Sequence, residues 1–87
     1  MRSVKFEPKA FNQIDEWLGE DRKMFQRILR ILKECQRTPF EGIGKPEPLK
    51  GNLKGLWSRR ITDEHRLVYE VTAELIIVFS MKGHYDD

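Results

Sequence analysis

The chain predicts an α+β fold in the order β-α-α-β-β-β, with two helices laid on one face of a twisted, mainly antiparallel sheet. Apolar residues recur at helical spacing through the first half of the 87 residues and at alternate positions through the last third. Between these regions lies a glycine- and proline-rich stretch that follows neither period. Helices followed by a run of hairpin-linked strands pack as separate α and β layers.

Ser3–Phe6 alternates polar and apolar residues and reads as a short first strand. Pro8 suits the first turn of a helix, where its missing N–H costs nothing. Phe11, Ile14, Trp17 and Leu18 repeat at helical spacing until Gly19 interrupts them. Asp21 is an N-cap for a second helix, whose stripe is Phe25, Ile28, Leu29, Leu32 and Cys35. Thr38-Pro39 ends it, because the residue before a proline is pushed out of the helical region. Both stripes read as core-facing surfaces. From Phe40 to Gly55 four glycines and two further prolines break all periodicity, and a shaped loop of this length is typically functional. Three strands follow, Leu56–Ile61, Arg66–Val71 and Leu75–Met81, joined by connections of hairpin length. Alternation puts Leu67, Tyr69 and Val71 toward the helices and Arg66, Val68 and Glu70 on the other face. Val78, Ser80, Lys82 and His84 share one side of the last strand, which is expected to bring His84 to the open face beside Arg66. One domain spanning residues 1–87 is expected.

Composition narrows the function. Apolar residues make up 39% and charged residues 34%, so most side chains face water or a polar partner. The net charge is only +2, but from Gly42 to Thr62 five basic residues (Lys45, Lys50, Lys54, Arg59, Arg60) face one acidic residue, Glu47. A polyanion is drawn to such a region rather than to the whole molecule. The single cysteine, Cys35, forms no internal disulfide and falls on an apolar helix stripe, where an inert buried thiol is expected. Two histidines and one cysteine make no metal cluster, so neither a metal nor a cofactor is expected. Walker spacing and a Gly-x-Ser-x-Gly elbow are both missing. Without a signal peptide or a 20-residue apolar run, a soluble cytoplasmic protein is expected.

One carboxylate, fixed cations and a late imidazole are the parts needed to cut RNA without a metal. The ribose 2′-hydroxyl is the nucleophile; a base takes its proton, a cation stabilises the phosphorane, and an acid protonates the departing 5′-oxygen. Glu47 is the candidate base, since glutamate is ionised at neutral pH. Arg66 offers a planar fork to phosphate oxygens. His84 is the candidate acid, because imidazole exchanges protons near pH 7. Tyr85 would align the phosphate or stack on a base. Each also has a plainer reading: Glu47 solvated, Arg66 paired with Glu64 or Glu70, and His84-Tyr85 a frayed end. His65 reads as a residue that caps or packs at the turn, with no catalytic role.

The run Arg37-Thr-Pro-Phe-Glu-Gly-Ile-Gly-Lys-Pro-Glu-Pro-Leu-Lys50, followed by Trp57-Ser-Arg-Arg-Ile-Thr62, Glu64-His-Arg-Leu-Val-Tyr69 and His84-Tyr85, resembles the YoeB/Txe toxins of the RelE-like superfamily. The resemblance implies a RelE-like fold and a ribosome-dependent endoribonuclease that cuts messenger RNA in the decoding site. It implies a Phd/YefM-type antitoxin as inhibitor, a homodimer, and repression of the pair's own operon by the toxin–antitoxin complex. The family's base, phosphate-binding arginine, acid and terminal tyrosine match Glu47, Arg66, His84 and Tyr85. Lys50 and Arg60 fall at basic positions where RNA backbone contact is implied, and Lys45, Lys54 and Arg59 belong to the same tract. Asp86 and Asp87 follow the tyrosine at which the family usually stops, and Gly83 stands where relatives often carry an aromatic. The alternative from another class is a ParE-like toxin that binds and poisons DNA gyrase without catalysis. Such a toxin has no need of a glutamate, an arginine and a late histidine together.

Overall fold

A computed structural model of the protein describes residues 1–84; Tyr85, Asp86 and Asp87, among them the tyrosine assigned to substrate alignment, lie outside the described residues. Strand β1 is Ser3–Phe6, helix α1 Pro8–Glu20 and helix α2 Arg22–Arg37. A two-residue strand β2, Glu47–Pro48, a 3₁₀ turn at Gly51–Leu53, and strands β3 (Trp57–Arg60), β4 (Arg66–Val71) and β5 (Leu75–Ser80) complete the order. The sheet runs β1-β5-β4-β3-β2. β1 pairs parallel to β5 and every other pairing is antiparallel.

Local chemistry accounts for the helix boundaries. Asp21 sits between the helices and serves both: its N–H bonds to Trp17 O, and its carboxylate accepts from the Met24 N–H. Helix α2 stops at Arg37 with Thr38 as its cap, as Pro39 requires. β2 is not readable from the sequence, because Pro46 and Pro48 argue against a strand. It exists because an edge strand pairs on one side only, where proline's missing donor is tolerated.

The core lies between the helices and the sheet. α2 contributes Phe25, Ile28, Ile31, Leu32 and Cys35, and the sheet contributes Leu67, Tyr69, Ile76 and Val78. Three stripe assignments need correction. Phe11 and Leu18 are exposed, the former by 65%, and α1 buries Ala10 and Gln13 beside the expected Trp17; Leu29 is exposed while Ile31 is fully buried. The helix rotation is set by Trp17, whose indole N–H must find a buried acceptor and does so at Met81 O, 3.1 Å away. Burial raises the Cys35 thiol above its ordinary range, consistent with an inert side chain.

Arg59 also departs from expectation. It was expected on the RNA-binding surface, yet it is 0% exposed. β3 alternation points Trp57 and Arg59 toward the helices, and Ser58 and Arg60 away. The Arg59 guanidinium meets five acceptors: Glu34 Oε1 at 2.6 Å, Thr38 O at 2.6 Å, Glu41 O at 3.0 Å, Ile43 O at 3.3 Å and Tyr69 Oη at 3.2 Å. Tyr69 Oη in turn donates to Pro39 O at 2.7 Å. Guanidinium carries five N–H donors, so the group is fully used and cannot reach a phosphate.

Removing the guanidinium leaves the Thr38, Glu41 and Ile43 carbonyls without their donor and the Glu34 carboxylate, 31% exposed, without its cation. Arg59→Met is therefore expected to lower unfolding free energy by about 3–5 kcal/mol in urea titration. Arg59→Lys should not rescue it, since three ammonium donors cannot serve five acceptors. Burial pushes the Glu34 carboxyl up, but the Ile43 N–H and the Arg59 guanidinium outweigh that and hold it below the usual carboxylate range. A lowered native value means stability that is present above the range where an unfolded glutamate titrates, and lost as pH falls through the lowered value. Acid titration of stability should show this loss in the wild type and a flatter curve in Glu34→Gln.

Candidate active site

The face of the sheet away from the helices carries the site. Glu47 on β2, Ser58 and Arg60 on β3 and Arg66 on β4 line one pocket with Gly44 and Lys45. Register explains the convergence: Glu47 lies opposite Ser58, Ser58 opposite Val68, and Arg60 opposite Arg66. The cavity is about 60 Å³, room for a few waters or one phosphate rather than a nucleobase.

Two arginines directly opposite on one face repel each other, an arrangement that an anion between them would relieve. Among the described residues, the one carboxylate paired with the Arg60 guanidinium is the exposed Asp63, at a long 3.9 Å. The plainer reading of Arg66, an ion pair with Glu64 or Glu70, gives way to carbonyl contacts. Its Nη1 donates to Thr62 O at 2.6 Å, Asp63 O at 3.2 Å and His65 O at 3.4 Å. Neutral carbonyls orient the guanidinium without cancelling its charge.

The loop that builds the near wall needs unusual backbone. Lys45 has φ of 50° and Gly44 φ of 81°. Gly44 O accepts from the Arg60 N–H at 2.7 Å, so the loop lies directly on β3. Lys45, Lys50 and Lys54 are exposed, the last two flanking the 3₁₀ turn. With Arg59 withdrawn, the basic surface consists of these three lysines and Arg60, around a pocket that holds Arg66.

The route to His84 differs from the expected one. Val78 and Ser80 face the helices: Val78 is in the core, and the Ser80 hydroxyl accepts from Gln13 Nε2 at 3.3 Å. Lys82 also turns toward α1, with Nζ 2.8 Å from Glu20 and 3.3 Å from Glu16. Strand alternation would thus send His84 to the wrong side. β5 ends at Ser80, however, so its alternation does not extend to His84, and the chain bends at Gly83, which has φ of 84°. The Arg66 N–H donates to Gly83 O at 2.9 Å, so the backbone immediately before His84 is tied to Arg66. His84 itself is exposed.

Sequence reasoning missed Ser58, Gly44 and Trp17. Ser58 was recoverable, since alternation from Trp57 pairs its face with that of Arg60. The role of His65 at the turn is as expected: its ring meets Trp17 edge-on at 5.1 Å, and Nδ1 accepts from the Gly83 N–H at 2.9 Å. A larger cleft of about 730 Å³ opens at the other end of the β4–β5 hairpin, between Arg2, Gln36 and Glu74. Its polar groups are engaged in holding the fold, Arg2 Nε on Thr72 O and Gln36 Nε2 on Arg2 O.

A helix-backed sheet whose open face gathers fixed cations around a single carboxylate defines a small α+β protein with an anion-directed site, of the RelE-like fold. A family model described as the YoeB-like toxin of bacterial type II toxin–antitoxin systems matches residues 6–85, and the chain belongs to that family. Toxin RelK of Mycobacterium tuberculosis is 53% identical over 85 residues, covering 98% of this chain and 100% of that protein. The YoeB/ParE toxin from Agrobacterium tumefaciens superposes with a TM-score of 0.91 at 39% identity, covering 95% of this chain and 99% of that one. YoeB from Staphylococcus aureus has been solved as a dimer (TM-score 0.89, 46% identity, 97% and 98% covered) and in complex with YefM (0.88, 44%, 98% and 99%). No helix among the described residues is long and apolar enough to cross a membrane.

A Cβ at Gly44 would stand 2.7 Å from Arg60 O and 3.1 Å from Arg60 N, besides forcing an L-residue to positive φ. Gly44→Ala should therefore cost on the order of 2 kcal/mol. It should also displace Arg60 more than the same change at Gly51, where a Cβ meets nothing within 4 Å. Denaturant titration and the NMR shift of the Arg60 amide in the two variants check this.

Proposed function

We propose that this protein is a ribosome-dependent endoribonuclease, the toxin of a toxin–antitoxin pair, which cuts messenger RNA in the decoding site and arrests translation. The observation that carries the reading is the shared pocket: its one carboxylate, Glu47, lines the same phosphate-sized space as Arg60 and Arg66. A non-enzymatic, ParE-like gyrase poison has no use for a carboxylate inside an anion-binding pocket.

In the proposed reaction the Glu47 carboxylate takes the proton of a ribose 2′-hydroxyl. The freed 2′-oxygen attacks the adjacent phosphorus, and the phosphorane's added negative charge falls on Arg66, with Arg60 and Lys45 nearby. His84 gives its proton to the 5′-oxygen as the P–O bond breaks, leaving a cyclic 2′,3′-phosphate and a free 5′-hydroxyl. Tyr85 aligns the phosphate or stacks on a flanking base. Lys50 and Lys54 hold the RNA backbone outside the pocket. No step calls for a metal or cofactor. The ribosome supplies a messenger strand held in extended form, which an open sheet face this shallow does not select by itself.

The YefM complex of the S. aureus relative supports a Phd/YefM-type antitoxin as partner, and the dimer of that relative supports a homodimer. Repression of the pair's operon is assigned to the toxin–antitoxin complex, which alone contacts operator DNA. The protein acts in the cytoplasm, where its ribosomal target is.

Positioned acids and bases contribute roughly 10²–10⁴-fold. Glu47→Ala and His84→Ala should each lower single-turnover cleavage on programmed ribosomes by about that factor, while co-sedimentation with ribosomes is retained. Persistent cleavage in both variants would falsify the assignment. Intact messengers together with inhibited gyrase would favour the ParE-like alternative.

A further inference from the structure

We propose that Trp17 and His65 form a clamp that sets the path of the chain out of Gly83 and thereby positions His84. The inference rests on the reading of His84 as the general acid. It makes His65 and Trp17 positioning residues, since neither lines the pocket.

Gly83 is the last residue before His84, and its φ of 84° lies where a glycine has wide freedom. Two hydrogen bonds remove that freedom. Its carbonyl accepts from the Arg66 N–H at 2.9 Å, and its N–H donates to His65 Nδ1 at 2.9 Å. Adjacent residues of β4 and its approach thus hold both backbone groups of one residue, and so the peptide planes on either side of its Cα. The acceptor is itself fixed. His65 N–H donates to Thr62 Oγ1 at 3.1 Å, and its carbonyl takes the Ile61 and Thr62 N–H groups at 2.9 and 3.1 Å. Its ring lies edge-on against Trp17 at 80°.

Trp17, 4% exposed, holds the other side of the bend. Its Nε1 donates to Met81 O at 3.1 Å, and the Lys82 ammonium lies 5.2 Å over its ring while bonded to Glu20 and Glu16. Gln13 Oε1 accepts the Met81 N–H at 2.6 Å. One helix face therefore anchors residues 81 and 82, and the imidazole anchors residue 83. Accepting through Nδ1 requires its lone pair, so the ring proton sits on Nε2, which faces the Glu64 carboxylate at 3.9 Å. Such a clamp explains how an exposed residue after the last strand can be presented to a pocket built on the preceding strands. Proton transfer needs the acid within hydrogen-bond reach of its target, and a freely pivoting Gly83 would spread His84 over a wide arc.

The test uses the full chain and two variants of opposite design. His65→Phe keeps a ring against Trp17 and removes the acceptor; His65→Asn removes the ring and leaves an amide oxygen near the Nδ1 position. By NMR, the Gly83 amide should exchange about tenfold faster in His65→Phe while the Leu67 and Tyr69 amides are unchanged. In His65→Asn the Gly83 amide should stay near the wild-type rate. On ribosomes, kcat should fall about tenfold in His65→Phe with KM little changed, and recover in His65→Asn. Should the phenylalanine variant fail to fold, His65→Gln, which presents no acceptor at the Nδ1 position, replaces it with the same expectations. Unchanged Gly83 exchange, or full cleavage despite fast exchange, overturns the clamp while the nuclease reading stands. A wild type that leaves messengers intact sinks the nuclease reading and the clamp's role with it, whatever the exchange rates.

Discussion

The buried guanidinium of Arg59 is the constraint on which the rest of this molecule depends. Desolvating a cation costs several kcal/mol, and the cost is offset only when every donor is matched. The matching groups come from α2 (Glu34), from the loop that follows it (Thr38, Glu41, Ile43) and from β4 (Tyr69). The segment that follows α2 is thereby bolted to the core. Glu34 joins in twice, accepting from Arg59 and from the Ile43 N–H at 2.7 Å. The loop's shape thus rests on the hydrogen bonds of one side chain together with the packing of Phe40 on Trp57 and of Ile43 on the core.

That bolt has a direct consequence for the site. Residues adjacent on a strand point to opposite faces. With Arg59 locked inward, Arg60 must stand on the open face, and its N–H is then in register to bind Gly44 O. The same register places Glu47 across from Ser58 and Arg60 across from Arg66. Two neighbouring arginines of identical chemistry therefore do opposite work. One is consumed by the fold, while the other remains available to a ligand. The concentration of positive charge at the pocket exists because its supporting loop is neutralised internally and not by surface carboxylates.

A second, smaller constraint acts at the end of β5. Trp17 brings together an indole hydrogen bond, an edge contact to His65 and a cation over its ring. The helix layer on one face of the sheet in this way determines where the chain goes on the other. Helix packing and site geometry are coupled through a single aromatic side chain, which also accounts for the rotation of α1 that leaves Phe11 exposed.

The element order, both helix ends and the inward faces of Leu67 and Tyr69 were legible locally. A cap, a proline and an alternating run are each decided by neighbours within a few residues. The residues of the pocket were nameable as types, because a lone carboxylate in a basic tract and a late histidine stand out in any conformation. Tertiary structure alone decided which cations are available. Arg59 and Arg60 are indistinguishable in the chain, and only the partners gathered around one of them, from three separate segments, separate an internal bolt from a surface cation. It also decided the path of the chain leading to His84, since strand periodicity ends at Ser80 and the bend beyond it is held by Gln13, Trp17 and His65. The pairing of Glu47 on an edge strand was equally hidden, because its prolines argue against a strand until a neighbour supplies the one set of hydrogen bonds they allow. Short-range rules determined what the elements are, and long-range satisfaction of polar groups determined what they do.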